Sequence, residues 1–258
     1  STTDRYLVAF QYNWDLDGST RIDARAYLSN GSPEDYAFEV GPYSGTTLPD
    51  LPDLAYNRSR DEFLVVWQQT YGPGDHNIYG RRVTMSGGAG VEGSEFAITN
   101  SINDDVNAAV AAIPTVAGEG QYLVAWESSQ DIRARTVSGT GILGTLRTLA
   151  STAWGEYRPA AAGCESNMQF LVMWTWIPVV TPPAMMQVQG RTLALDGTPL
   201  HDTVYVGGGQ VFDSALDAGS VGDFLVAFDD NEVSGISNRG IYGLRWGNRL
   251  YLPLVLRD

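Results

Sequence analysis

A five-residue segment recurs five times along the chain: Tyr6-Leu-Val-Ala-Phe10, Phe63-Leu-Val-Val-Trp67, Tyr122-Leu-Val-Ala-Trp126, Phe170-Leu-Val-Met-Trp174 and Phe224-Leu-Val-Ala-Phe228. Successive copies start 57, 59, 48 and 54 residues apart. A repeat of this length signals an array of supersecondary units, each too small to bury its own core. Every copy reads aromatic, Leu, Val, variable, aromatic. The period-two geometry of a strand puts both aromatics and the Val on one face, and Leu with the fourth residue on the other. Both faces are apolar, so each of these strands must be covered on both sides. A sandwich strand with one wet face would alternate.

Up to three further segments accompany each copy. Behind it come Ile22-Asp-Ala-Arg25, Ile78-Tyr-Gly-Arg81, Ile132-Arg-Ala-Arg135, Val188-Gln-Gly-Arg191 and Ile241-Tyr-Gly-Leu244. The small third residue lets a neighbour approach closely. Turn signals follow at Ser29-Asn30-Gly31, Ser86-Gly87-Gly88, Ser138-Gly139 and Asp196-Gly197. A further strand is then expected near Tyr36–Val40, Glu95–Ile98, Leu146–Leu149 and Val204–Val206. In front of the aromatic segment lies a strand of small residues: Pro52-Asp-Leu-Ala55, Ala108-Ala-Val-Ala111, Pro159-Ala-Ala-Ala162 and Ser214-Ala-Leu216. Small side chains suit strands that crowd around an axis. The predicted fold is all-β: a five-bladed β-propeller of about four strands per blade, with residues 1–258 as one domain.

The segments Ile78-Tyr79-Gly80-Arg81-Arg82-Val83 and Asp131-Ile132, with the aromatic-Leu-Val-x-Trp strands, resemble those of secreted bacterial β-propeller repeat proteins. The likeness covers nearly the whole chain. It implies the fold and an extracellular or cell-surface setting, and no particular reaction. Arg249-Leu-Tyr-Leu-Pro-Leu-Val-Leu-Arg257 is similar to a short terminal motif of some secreted bacterial proteins.

Composition narrows the partners. The chain carries 30 acidic residues against 16 basic ones, all of them Arg, for a net charge of −14. Nothing would offset the phosphates of a nucleic acid, which excludes binding through a basic surface. No apolar run approaches the ~18 residues of a spanning helix, so no membrane insertion is expected. The start at Ser1-Thr2-Thr3-Asp4 is what a processed mature protein would show. The lone Cys164 lies in an apolar stretch and reads as a buried structural thiol. Asn30-Gly-Ser and Asn57-Arg-Ser fit the N-glycosylation pattern.

The last apolar segment has two possible roles. It pairs back through Gly247-Asn248 as the outer strand of blade five, or it supplies the inner strand that blade one lacks. Spacing favours the second: Pro52 and Pro159 each precede their aromatic strand by 11 residues, and Pro253 reaches Tyr6 around a circle in the same number. The C-terminal strand is therefore expected to close the ring, with insertion into a neighbouring molecule as the alternative.

Candidate site residues fall into several groups. The charge-free loop from Trp174 to Met186 presents Trp176, Ile177, Val179, Val180, Met185 and Met186. With Leu250, Tyr251, Leu252 and Leu254 of the last strand, it is the expected contact with a partner, either another copy or a surface protein or glycan. Asn13, Asp15 and Asp17 alternate as in a Ca²⁺ loop, though Ala24 stands where the bidentate Glu belongs. Ca²⁺ is thus the one cofactor left open. Other loop acids are Asp75, Glu127, Asp131, Asp229, Asp230 and Glu232. The two histidines, His76 and His201, have unlike neighbourhoods, and no nucleophile elbow is present. Trp14, Tyr71 and Trp154 could stack on sugars. Asp53, Asp213 and Asp217 could serve two-carboxylate chemistry at the axis, where five-bladed propeller glycoside hydrolases keep their acids. Arg25, Arg81, Arg135 and Arg191 recur with the blade and are expected to pair with carboxylates of the neighbouring blade. The resulting expectation is a non-enzymatic extracellular or cell-surface interaction module that self-assembles through its last strand and apolar loop. A glycan-binding lectin-like propeller and a glycoside hydrolase are the alternatives.

Overall fold

The computed structural model describes residues 5–13, 19–34, 36–42, 47–85, 90–115, 118–178, 186–209, 214–218, 223–231, 239–246 and 254–256. Their strands form five sheets, one per repeat, and no described residue is helical. No described helix, accordingly, is long and apolar enough to cross a membrane. Sheet one holds β1 (Arg5–Asn13), β2 (Thr20–Leu28) and β3 (Phe38–Glu39). Sheet two holds β4 (Leu48–Asn57), β5 (Glu62–Gly72), β6 (Asp75–Thr84) and β7 (Gly90–Ala97). Sheet three holds β8 (Asp105–Ile113), β9 (Gln121–Ser128), β10 (Asp131–Ser138) and β11 (Arg147–Ala150). Sheet four holds β12 (Gly155–Cys164), β13 (Gln169–Ile177), β14 (Met186–Ala194) and β15 (Val204–Gly209). Sheet five holds β16 (Ser214–Ala218), β17 (Phe224–Asn231), β18 (Arg239–Trp246) and β19 (Leu254–Leu256). Each sheet is an antiparallel meander in chain order, as propeller blades are.

The two-faced aromatic strands explain the packing between sheets. Phe63, Val65 and Trp67 of β5 bury against Leu7, Ile22 and Ala24 of sheet one. The opposite face of β5, Leu64 and Val66, meets Tyr122, Val124 and Trp126 of β9. Leu123 and Ala125 then meet Phe170, Val172 and Trp174 of β13, and Leu171 with Met173 meets Phe224 and Val226 of β17. The aromatic face of each sheet thus packs on the leucine face of the one before. Two faces stand apart from this rule: Tyr6 and Val8 of β1 are 58% and 47% exposed, and Leu225 of β17 is 54% exposed. The inner strands crowd as their small residues predict. A Cβ added to Gly163 of β12 would lie 2.5 Å from the Ala112 carbonyl oxygen of β8.

Three expectations are corrected. First, the C-terminal strand does not complete sheet one. Leu254–Leu256 pairs with β18, Leu256 opposite Ile241, as the outer strand of sheet five, and sheet one has three strands among the described residues. A short hairpin connection closes a smaller loop than a pairing across the whole chain, and so costs less entropy. Second, three of the four ladder arginines hydrogen-bond backbone carbonyls of the preceding sheet. Arg81 donates to the Val40 carbonyl at 3.1 Å, Arg135 to that of Ile98 at 2.9 Å and Arg191 to that of Leu149 at 3.0 Å. Each acceptor lies at the end or bulge of the preceding sheet's outer strand, where the ladder leaves a carbonyl in need of a donor. Arg25 lies over the Tyr27 ring, 5.8 Å from its centroid. Third, Asn57 is fully buried. Its Nδ2 donates to the Glu119 carbonyl at 2.8 Å, so the atom that would carry a sugar is already engaged. Asn30 is exposed, in a turn where its Oδ1 accepts the Ser32 N–H. Cys164 is buried, as expected, and outside any disulfide.

Candidate functional site

Three of the inner strands, β4, β8 and β12, share an irregularity. Their pairing with the aromatic strands shifts between Asp50 and Asp53, between Val106 and Ala109, and between Tyr157 and Ala160. Leu51, Asn107 and Arg158 occupy these bulges with φ of 47°, 54° and 51°. Positive φ is costly for a residue with a Cβ, least so for Asn, and bulges re-aim backbone next to functional sites. Beside each bulge stands the residue that follows the repeat tryptophan: Gln68, Glu127 and Thr175.

This geometry links successive sheets. Gln68 Oε1 of sheet two accepts the Asn107 N–H of sheet three at 3.0 Å. Glu127 of sheet three likewise accepts the Arg158 N–H of sheet four. Asn107 Nδ2 adds a 3.1 Å bond to Glu127 Oε2, and the Gln68 side chain also bonds Asp50. Two carboxylates on adjacent sheets, Asp50 and Glu127, are therefore joined through Gln68 and Asn107. Asp50 Oδ1 is buried with no hydrogen-bond partner among the described residues.

Glu127 opens into a pocket of about 350 Å³ lined by Asn107, Glu127, Tyr157, Arg158, Thr175, Ile177 and Met186. Burial pushes its carboxyl above the ordinary range, against the Asn107 and Arg158 bonds that hold it down. Burial likewise raises Asp50, against the bond from Gln68 and the nearby His76. Asp53, Glu95 and Glu156 are also raised chiefly by burial, whereas hydrogen bonds from Thr198 lower Asp196. A raised folded-state value means that the folded protein holds its proton to higher pH than the unfolded chain. Stability is then full below the ordinary carboxylate range and declines as pH rises through the folded values; Asp196 acts oppositely. Five raised groups outweigh one, so the melting temperature is expected to be higher near pH 5 than near pH 8. Scanning calorimetry in the two buffers checks this, and the reverse order would contradict it.

The fates of the predicted residues differ. Ile177 and Met186 of the charge-free loop line the Glu127 pocket. Trp176 packs against the core between sheets three and four, with Nε1 donating to Thr152 Oγ1 at 3.2 Å. Val179, Val180 and Met185 lie outside the described residues, as do Leu250, Tyr251 and Leu252; Leu254 is in β19. Asn13 ends β1, while Asp15 and Asp17 are outside the described residues, as are Trp14, Asp213 and Glu232. Among the described residues no group of three His, Cys, Asp or Glu could hold a metal ion. Asp53 is a latch between inner strands, its Oδ2 accepting the Val110 N–H at 2.8 Å. Asp217 is exposed and accepts the Ala218 N–H. His76 Nδ1 contacts Asp104 Oδ1, and His201 is in an exposed turn. Sequence reasoning did not single out Asp50, Asn107, Tyr157 and Arg158. The signal was present: Leu51-Pro52, Asn107-Ala108 and Arg158-Pro159 fall at one repeat position, as do Gln68, Glu127 and Thr175.

No protein-family model matches the chain, and no curated protein sequence matches it. Solved structures do resemble it. A GH43 β-1,3-galactosidase solved with galactodeoxynojirimycin aligns with a TM-score of 0.55 at 9% identity, over 97% of this chain and 90% of its own. A Hadza microbial sialidase aligns with a TM-score of 0.51 at 10% identity, over 90% of this chain. This chain spans about half of the sialidase, 53% of its length. A second GH43 β-1,3-galactosidase gives 0.50 at 8% identity, covering 93% of this chain and 54% of that one. The likeness establishes the all-β propeller fold. It also overturns the expectation of a non-enzymatic contact module: the structures that share the fold are named as glycosidases. Of the charge-free loop expected to meet a partner, Ile177 and Met186 line the pocket beside the half-buried Glu127 carboxyl.

Proposed function

We propose that the chain is a glycoside hydrolase acting on neutral glycans, with Glu127 as general acid and Asp50 as its partner carboxylate. The observation that carries this reading is the pair of burial-raised carboxyls on adjacent sheets, tied through Gln68 and Asn107, with Glu127 and Asn107 lining a pocket. Glycoside hydrolysis needs one carboxyl that keeps its proton to protonate the leaving oxygen, and one that has lost it to activate water or attack. Glu127, facing the pocket, suits the first role. Asp50, whose ionised form is favoured by the Gln68 bond and by His76 nearby, suits the second. Glu127 gives its proton to the leaving oxygen as the glycosidic C–O bond breaks. The attacking water bonds the anomeric carbon, keeps one proton in the new hydroxyl and passes the other to Asp50. Net transfer of that proton from Asp50 through solvent to Glu127 restores the site. Tyr157 offers an aromatic wall, and Arg158, Asn107 and Thr175 offer polar groups for sugar hydroxyls. The net charge of −14 disfavours polyanionic substrates. An extracellular or cell-surface setting fits a lysine-free acidic chain that works on polymers.

The test is release of reducing ends from β-1,3-galactan and from arabinan, with Glu127→Gln as control. Hydrolysis of either polymer that the control lacks supports the reading. No release from either, or equal release by the control, overturns it.

A further inference from the structure

We infer that a second pocket, built from the β5–β6 hairpin and the segment joining β7 to β8, is a binding site for a neutral saccharide, distinct from the Glu127 pocket. It has a volume of about 500 Å³ and is lined by Tyr71, Asp75, Asn77, Tyr79, Asn100, Ser101 and Ile102. This size falls within the range of small-ligand sites, roughly 300–1,000 Å³.

The lining has the chemistry of sugar recognition: aromatic faces for the C–H side of a pyranose, and amide, hydroxyl and carboxylate groups for its hydroxyls. The aromatic part is pre-organised. Tyr79 stacks on the buried Trp67, centroids 6.3 Å apart and planes 21° from parallel. Its hydroxyl meets that of Tyr71 at 2.5 Å. Tyr71 nonetheless leaves 44% of its surface open. The polar part is equally fixed. Asn77 is buried, and its Oδ1 accepts the Ser101 N–H at 2.9 Å and the Thr99 hydroxyl at 3.2 Å. Ser101 Oγ donates to Asp105 Oδ2 at 2.8 Å, and Asp105 in turn accepts Trp126 Nε1 at 3.1 Å. A site held this way spends little entropy on binding. Ile102 stands fully exposed at the rim, where an apolar contact with a ligand would cover it.

Charge selects the ligand. Asp75 lines the pocket, and Glu95 and Asp75 both act on the Tyr71 hydroxyl. A uronate or sialoside would meet like charge, so a neutral saccharide is the match. The position matters as well. β8 begins at Asp105, two residues before Asn107 of the first pocket. Ile102 of the second pocket and Asn107 of the first lie on the same stretch of chain, so both pockets sit near the start of β8. The inference takes from the hydrolase reading only the class of ligand.

Affinity electrophoresis in gels containing β-1,3-galactan or arabinan tests it, with Glu127→Gln as the starting protein so that no polymer is cleaved. Retardation is expected, and Tyr71→Ala should weaken it about tenfold. Tyr71→Phe, which keeps the ring, should retain most of it. Asn100→Trp, at an exposed lining position, should fill the pocket and abolish retardation even if Tyr71→Ala fails to fold. No retardation in either gel, or retardation unchanged by both Tyr71→Ala and Asn100→Trp, overturns the inference. Retardation lost in these variants while the native protein releases no reducing ends would leave this site standing and sink the hydrolase reading. Hydrolysis with retardation indifferent to both variants would do the opposite.

Discussion

Glu127→Gln is expected to lower kcat/KM for glycan hydrolysis by about 10²- to 10⁴-fold, the usual contribution of a general acid. The substitution is nearly isosteric. Its amide oxygen can still accept from Asn107 Nδ2 and from the Arg158 N–H, so the fold and the bulge at Arg158 should survive. What it removes is the transferable proton. The pH profile separates this from a loss of shape. Because burial holds the Glu127 carboxyl above its ordinary range, it remains an acid into mildly acidic solution. Activity should be greatest there and decline as pH rises through the Glu127 value. Asn107→Ala removes a hydrogen bond that favours the ionised form, so it should move that declining limb to higher pH. A residue that merely held the pocket open would leave the limb in place. Retention of more than about a tenth of the native rate by Glu127→Gln would dismiss Glu127 as the acid.

The fold was legible because it rests on repetition. Phe63, Leu64, Val65, Val66 and Trp67 announce a strand covered on both faces, and the same phrase recurs often enough to count the sheets. The Ala-rich segments announced crowding, which Gly163 against Ala112 bears out. The last strand was misplaced because spacing alone cannot weigh a local hairpin against a pairing between chain ends. The arginine ladder was seen but assigned to carboxylates, since sequence does not reveal which outer-strand carbonyls the ladder leaves unpaired. The site was less visible for a related reason. Glu127 and Asp50 are single residues on different repeats, and what brings them to one network is a bulge with positive φ at Asn107. A bulge inserts a residue without a hydrophobic signature, so periodicity passes over it. Asp53 shows the converse. It looked like an axial acid by position, yet its oxygen is committed to the Val110 N–H.

Glu62→Ala should cause the largest loss of stability, at the far end of the seam between sheets two and three. Glu62 is 1% exposed at the start of β5. Its carboxylate faces Arg60 Nε at 3.2 Å and Arg82 Nη1 at 3.3 Å, and accepts the Tyr122 hydroxyl of sheet three at 3.3 Å. Burying that charge is tolerable only because three donors surround it. Removing it takes that carboxylate from Arg82, whose Nη1 also donates to the Gly139 carbonyl at 3.2 Å. Breaking a buried pair by deleting one member costs about 3–5 kcal/mol. Arg60, 27% exposed, regains solvent, which argues for the lower figure, about 3 kcal/mol. For a chain of this length that is a fall of roughly 10 °C in melting temperature. Tyr122→Phe removes the hydroxyl's bonds to Glu62 and Asn57 and should cost about 1–2 kcal/mol. The double variant should lose less than the two singles combined, because both delete the same contact. Six residues of strand, about 20 Å, separate Glu62 from Gln68. Well below its melting temperature the alanine variant should therefore hydrolyse glycan at close to the native rate. A melting temperature within about 2 °C of native would show that this carboxylate is dispensable to the seam.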